Sequence, residues 1–188
     1  MGYSLAEAAI AAGAKVTLVS GPVNLDPPPN CHLVSVETAD EMYESVMHHI
    51  KDKDVYIGTA AVSDYSPIKP HDSKIKKDGS HSSMVLELKE NRDILHSVSE
   101  LKDRPYVVGF AAETDDLIDN AKKKLNNKSL DLIVANDVSD KNIGFDSDDN
   151  EVTLITHKEQ KLLARQNKKK ISSKIIEFIS GRINDETN

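Results

Sequence analysis

Three short apolar runs constrain this chain most: residues 55–57 (Val-Tyr-Ile), 106–112 (Tyr-Val-Val-Gly-Phe-Ala-Ala) and 132–135 (Leu-Ile-Val-Ala). No charge interrupts them, and they lead into small or polar residues at Ala60, Ala112 and Asn136-Asp137. A strand that is apolar at consecutive positions is buried on both faces, as in parallel sheets covered by helices. Helical segments separate the runs. Residues 38–50 start at Thr38 as a cap and carry Met42, Val46 and Ile50 on one face, Asp93 opens 93–101, and 115–126 follows. Upstream come an alanine-rich helix at 5–12 with Gly13 as its C-cap, a strand at 15–20 and another at 32–37. An alternating strand at 84–88, a last strand at 152–156 and a last helix at 171–183 complete the order. The pattern predicts an α/β fold: a Rossmann-like, doubly wound, mostly parallel sheet with helices on both faces. At 188 residues the chain reads as one domain, 1–188.

In an open sheet of this kind, ligands sit beyond the carboxyl ends of the strands. One crevice could therefore gather all three strand ends. Gly58, Thr59, Ala60 and Ala61 are small enough for a ligand to approach the backbone closely. Asp64 follows, and beyond a proline-bearing loop lie Lys74, Lys76 and Lys77. A carboxylate beside several ammonium groups suits a nucleotide, the acid for a ribose hydroxyl or metal and the lysines for phosphates. Taken singly, Lys74 reads equally well as a solvated lysine and Phe110 as a core residue. Residues 66–83 carry little apolar surface and read as a mobile, lysine-bearing flap. No Gly-x-Gly-x-x-Gly turn is present, which counts against a dehydrogenase-like dinucleotide site.

Composition narrows the classes further. A formal charge of −7 argues against a nucleic-acid binder, which needs a basic face. No apolar stretch approaches the roughly 20 residues of a membrane span. The single cysteine, Cys31, excludes an internal disulfide, fits a reducing cytoplasm and has no activating neighbour, so it reads as structural. His48, His49 and His157 lack metal-ligand spacing.

An ordered series of motifs then points to a family. It consists of Ala-Lys-Val-Thr-Leu-Val-Ser-Gly-Pro (14–22), Ala-Ala-Val-Ser-Asp-Tyr (60–65), Lys-Ile-Lys-Lys (74–77), Pro-Tyr-Val-Val-Gly-Phe-Ala-Ala-Glu-Thr (105–114), Leu-Asp-Leu-Ile-Val-Ala-Asn-Asp-Val (130–138) and Gly-Phe-Asp-Ser-Asp-Asp-Asn (144–150). From Gly2 to Ile183 the chain resembles phosphopantothenoylcysteine synthetase, the ligase half of the bacterial bifunctional coenzyme A biosynthesis protein. The resemblance implies condensation of 4′-phosphopantothenate with L-cysteine, driven by CTP and Mg2+ through an acyl-cytidylate, with release of CMP and pyrophosphate. It also implies a cytoplasmic homodimer and, in the full-length protein, a phosphopantothenoylcysteine decarboxylase domain upstream.

Site roles follow from the same match. Lys74 corresponds to the family's catalytic mobile-loop lysine, Asp64 to its nucleotide-binding aspartate, and Gly58, Thr59 and Ala60 to the backbone wall beside the nucleotide. Phe110 matches the aromatic at the second strand end, and Lys124 and Lys128 match two lysines on the following helix, where i,i+4 spacing puts both on one face. Asn91 matches a base-contacting residue in a Lys-Asn-Pro-Asp turn, although Arg92 stands where proline is usual. The family segment holding the first strand, a glycine-bearing loop and a catalytic asparagine is represented here only by Met1-Gly2. The expectation is an N-terminally truncated synthetase that makes little product alone. The competing readings are a catalytically silent nucleotide-binding remnant and a dehydrogenase-like domain.

Overall fold

The computed structural model describes residues 1–69, 73–76, 84–113, 116–137 and 149–186. The elements run α1 (Gly2–Ala11), β1 (Thr17–Ser20), β2 (His32–Ser35), α2 (Ala39–His49), β3 (Val55–Gly58), β4 (Tyr65–Pro67), β5 (Leu88–Glu90), α3 (Ile94–Ser99), β6 (Tyr106–Glu113), α4 (Leu117–Asn127), β7 (Leu132–Asp137), β8 (Asp149–Ile155), β9 (Gln160–Asn167) and α5 (Lys168–Glu186). The predicted caps hold. Thr38 and Glu41 form a reciprocal capping box at the start of α2, and the Asp93 side chain accepts from the His96 N–H to open α3. Gly13 takes a φ of 91°, the left-handed turn that stops α1.

The principal sheet has the order β3-β6-β7-β8-β9. β3, β6 and β7 are parallel, with Gly58 opposite Gly109 and Ala112 opposite Asn136. β8 and β9 are antiparallel additions. The sheet is therefore mixed, which corrects the expectation of a mostly parallel one. For the β8–β9 pair the cause is local: β8 turns directly into β9 through a tight loop in which the Thr156 hydroxyl accepts from the Lys158 and Glu159 N–H groups. A connection this short can only return the chain antiparallel. β9 escaped sequence reading because it is an edge strand on which only Leu163 is buried, and its charged residues mask the periodicity. The alternating segment at 84–88 is not the strand expected either. β5 starts at Leu88, while Met84, Val85 and Leu86 stay exposed.

Helices cover both faces of the sheet, as expected. On one face Val107, Ala111, Ile133, Ala135 and Ile155 pack against α2, α3 and α4 through Val46, Ile50, Ile94, Val98, Ala121 and Leu125. On the other, Val108, Leu132, Val134, Val152, Leu154 and Leu163 meet α1 and α5 through Leu5, Ile171, Ile175, Ile176 and Ile179. Consecutive residues of β6 and β7 thus serve opposite cores, which is why these strands are apolar at every position. The paired glycines have a packing role. A Cβ at Gly109 would lie 2.8 Å from the Leu130 side chain, and one at Gly58 would lie 3.1 Å from Leu95.

β1 and β2 form a separate two-stranded parallel pair that does not hydrogen-bond to β3. Between them runs a cleft of about 1480 Å³, lined by Thr17, Leu18 and Val19 on one side and by Val55, Tyr56 and Ile57 on the other. Among the described residues no strand lies in it. The expected flap, residues 66–83, falls largely outside the described residues, as does the Gly-Phe-Asp-Ser-Asp part of the 144–150 motif.

Candidate functional site

The cleft widens at the carboxyl ends of the parallel strands. Gly58 ends β3, Thr59, Ala60 and Asp64 follow it, Phe110 and Ala112 come from β6, and Asn136 comes from β7; all line this one cavity. α4 contributes Lys124, and Lys128 at its C-cap joins it on the same lining. Eight of the nine residues singled out from sequence, Gly58, Thr59, Ala60, Asp64, Asn91, Phe110, Lys124 and Lys128, therefore share one space. Lys74, the ninth, is exposed on the described piece 73–76 and does not line the cleft.

The two lysines are already engaged. The Lys124 ammonium donates to the Phe110 carbonyl at 2.9 Å, and that of Lys128 pairs with Asp93 at 2.8 Å. Asp93 thereby serves two elements, capping α3 and holding the end of α4. Burial pushes the Asp93 carboxyl up, but the His96 N–H and the Lys128 ammonium together outweigh it and hold the acid below its usual range. Sequence reading assigned Asp93 only to the start of its helix; its pairing with Lys128 joins residues 35 positions apart, which no local pattern encodes. The Tyr56 hydroxyl also lines the cleft, and burial, aided by the negative charge of Asp93, raises its pKa strongly, so it stays protonated.

The wall opposite is built by hydrogen bonds from one residue. The Asn91 backbone N–H donates to the Asp64 carbonyl at 2.8 Å, its side-chain Nδ2 donates to the Ser63 carbonyl at 2.8 Å, and its Oδ1 accepts from the Ser66 hydroxyl at 2.7 Å. The short antiparallel ladder of β4 on β5, with Tyr65 opposite Glu90, continues this connection. α1 reaches the same place: a Cβ on Gly2 would come within 2.7 Å of the Thr59 hydroxyl oxygen, so the first turn of the helix abuts the strand-end wall.

Two polar residues add to the lining. Asn136 and Asn150 both face the cleft, and their Oδ1 atoms are buried without a hydrogen-bond partner among the described residues. Asn150 closes the last family motif, the one sequence signal that pointed to it. The described residues contain no group of three or more histidine, cysteine or acidic side chains placed to hold a metal. Burial raises the Cys31 thiol, which keeps it protonated and agrees with a structural role. No helix among the described residues is long and apolar enough to cross a membrane.

Fold and cleft together define an open α/β domain with its ligand crevice at the ends of three parallel strands. Residues 1–182 match the family described as DNA/pantothenate metabolism flavoprotein C-terminal domain. The chain is 45% identical over 180 residues to the coenzyme A biosynthesis bifunctional protein CoaBC of Vibrio vulnificus strain YJ016, an alignment that covers 95% of this chain and 45% of that protein. The crystal structure of the C-terminal domain of a CoaBC protein superimposes with a TM-score of 0.81 at 38% identity, covering 98% of this chain and 82% of that one. A Cab2 mutant in complex with phosphopantothenate-cysteine shares the fold, with a TM-score of 0.76 at 17% identity over 98% of this chain and 77% of that one. The chain belongs to this family and spans about 45% of the length of the full-length relative.

Proposed function

We propose that this domain is the phosphopantothenate–cysteine ligase of coenzyme A biosynthesis and that it activates its acid substrate with CTP. The observation that carries the reading is the convergence of Ala60, Asp64, Phe110, Lys124 and Lys128 on one cleft in a chain of this family. The 4′-phosphopantothenate carboxylate attacks the α-phosphorus of CTP, pyrophosphate leaves, and an acyl-cytidylate results. The cysteine amine then attacks the acyl carbon and CMP departs.

Each residue has a part consistent with its surroundings. Asp64 accepts from a ribose hydroxyl, and the Phe110 ring packs against the flat base. Lys124 and Lys128 stabilise the charge that grows on the phosphates. Both already sit on oxygen acceptors, so an incoming triphosphate exchanges the neutral Phe110 carbonyl and one carboxylate for stronger anionic partners. Magnesium bound with the nucleotide neutralises further phosphate charge. Lys74 reaches this site only if its segment closes over the cleft, and we assign it the charge on the triphosphate and the acyl-transfer step.

Two features extend the reading. The cleft between β1 and β3 has apolar cover from α1 and α5 on one face and α2 on the other, the surroundings of a sheet position. We assign that position to a strand of the longer protein, where the family's decarboxylase half also lies. Tyr65, Ile68, Met84, Val85, Leu86 and Leu88 leave an apolar surface exposed around the β4–β5 ladder, Val85 reaching 88% exposure. A second copy would cover it, giving a homodimer that light scattering in dilute solution detects. The site of action is the cytoplasm, where CTP and reduced cysteine are available.

Pyrophosphate release tests the function. It should require CTP and phosphopantothenate together, and cysteine should then yield phosphopantothenoylcysteine. Release that ignores phosphopantothenate, or that proceeds equally with NAD-type ligands, would overturn the assignment.

A further inference from the structure

Arg92 lines the same cleft, yet its guanidinium is engaged by three side chains of α2. Its guanidinium pairs with Glu44 at 2.7 Å and Asp40 at 3.4 Å, and stands 3.8 Å over the Tyr43 ring. Those three partners occupy one side of the first turns of α2, at i, i+3 and i+4. Lys89, three residues earlier, reaches the same Asp40 at 3.1 Å. The turn after β5 is thereby tied to α2 at four points. Glu44, the closest partner, raises the Arg92 pKa, while Lys89 and then Arg92 hold Asp40 below the usual carboxylate range.

Between Lys89 and Arg92 sits Asn91, whose three hydrogen bonds hold Ser63, Asp64 and Ser66. The Asn91 side chain commits its Oδ1 to the Ser66 hydroxyl and an Nδ2 hydrogen to the Ser63 carbonyl, so it holds that wall in shape. We propose that Arg92 is a positioning residue: its ionic and stacking clasp on α2 fixes the Asn91 turn, and through Asn91 fixes the Ser63–Ser66 wall that presents Asp64 to the cleft. An arginine suits this task where a lysine would not, because the planar guanidinium pairs in a fork and stacks on an aromatic face at once.

The clasp is surface-exposed, with Arg92, Asp40 and Glu44 side chains 45%, 52% and 68% accessible. Exposed charge pairs weaken as salt screens them. The order of the Ser63–Ser66 wall should therefore depend on ionic strength, a property that simple packing would not give. The idea rests on the nucleotide reading for its consequence but not for its first measurement.

That measurement is hydrogen–deuterium exchange over residues 61–67 of the 188-residue protein, without nucleotide. In the unaltered chain, exchange should quicken by about three- to tenfold between about 0.02 M and about 0.5 M salt, the scale of weakly held surface pairs. Arg92→Ala should exchange at the fast rate in both buffers, and Arg92→Lys should fall between. Asn91→Ala should be fast and salt-independent although Arg92 is present, because the link beyond the clasp is cut. CTP affinity, measured by calorimetry, should weaken in Arg92→Ala by about the same three- to tenfold factor, with the melting temperature nearly unchanged. Equal exchange in the unaltered and Arg92→Ala chains would overturn the clasp. Faster exchange without any loss of CTP affinity would overturn its positioning role. If the unaltered chain binds no CTP under any salt condition, the nucleotide assignment fails, and the exchange data still decide whether the clasp exists.

Discussion

Residues 132–135 on β7 are fully buried, while Leu18 and Val19 of β1 and Val55 to Ile57 of β3 remain partly exposed although they are equally apolar. The difference lies in neighbours rather than composition. β7 has a hydrogen-bonded strand on each side and helices above and below, whereas β1 and β3 face one another across an open cleft. Apolar side chains gain their burial from what packs on them. The comparison shows that β6, β7 and β8 are each paired on both sides, whereas β1 and β3 border an open cleft. The strand-end crevice lies where the two regions meet, so its far wall is firm and its near wall is the more easily displaced.

The largest expected effect comes from filling the cleft. Under the proposed function, a version of the chain in which an added strand and loop fill the β1/β3 cleft should form phosphopantothenoylcysteine at least a hundredfold faster than the 188-residue chain, because one preorganised polar group at a transition state contributes about 2.7 to 4 kcal/mol. Equal rates by product assay would show that the catalytic groups lie elsewhere, with Asn91 and Asn136 the next to test.

Stability should divide the same two regions. Ile133→Ala, in a fully buried position, should lower unfolding free energy by about 2 to 5 kcal/mol in a urea melt. Leu18→Ala, on the cleft wall, should cost about 1 kcal/mol or less, since the Leu18 side chain already lacks neighbours on one side. Filling the cleft with an added strand should bring the two costs together. Similar costs without it would mean that β1 is packed as tightly as β7.

Much of the fold was legible because the strands that build the core carry their burial in every residue. The apolar runs of β3, β6 and β7 located the sheet, and Thr38, Asp93 and Gly13 set helix boundaries through chemistry local to each turn. β9 was not legible: an edge strand with charged residues at most positions has no periodicity to detect. Strand ends alone pointed to a crevice after β3, β6 and β7, whereas Phe110, Asn91, Lys124 and Lys128 were assigned through the family resemblance, and all of them line one cleft. Two parts of it could not be read. The pairing of Lys128 with Asp93 and the clasp of Arg92 on α2 arise from tertiary approach between residues 35 to 52 positions apart.

The smallest effect concerns pH. Asp93 has a lowered carboxyl pKa in the folded state, so the unfolded chain binds its proton more readily. Its contribution to stability is therefore fully present above the unfolded carboxylate range and is lost as pH falls through the lower folded value. Because the pair is about two-fifths exposed, the effect should stay below about 1 kcal/mol. Asp93→Asn should flatten this part of the acid titration of stability; an unchanged acid limb would show that the Lys128 pair does not bear on folding.

The most direct test of the crevice is titration calorimetry of the 188-residue protein with CTP and magnesium, set beside NAD. The account predicts selective CTP binding that Lys124→Ala and Lys128→Ala each weaken by roughly tenfold or more, as expected for hydrogen bonds to charged groups. Equal affinity for CTP and NAD, or CTP binding indifferent to both substitutions, would contradict it.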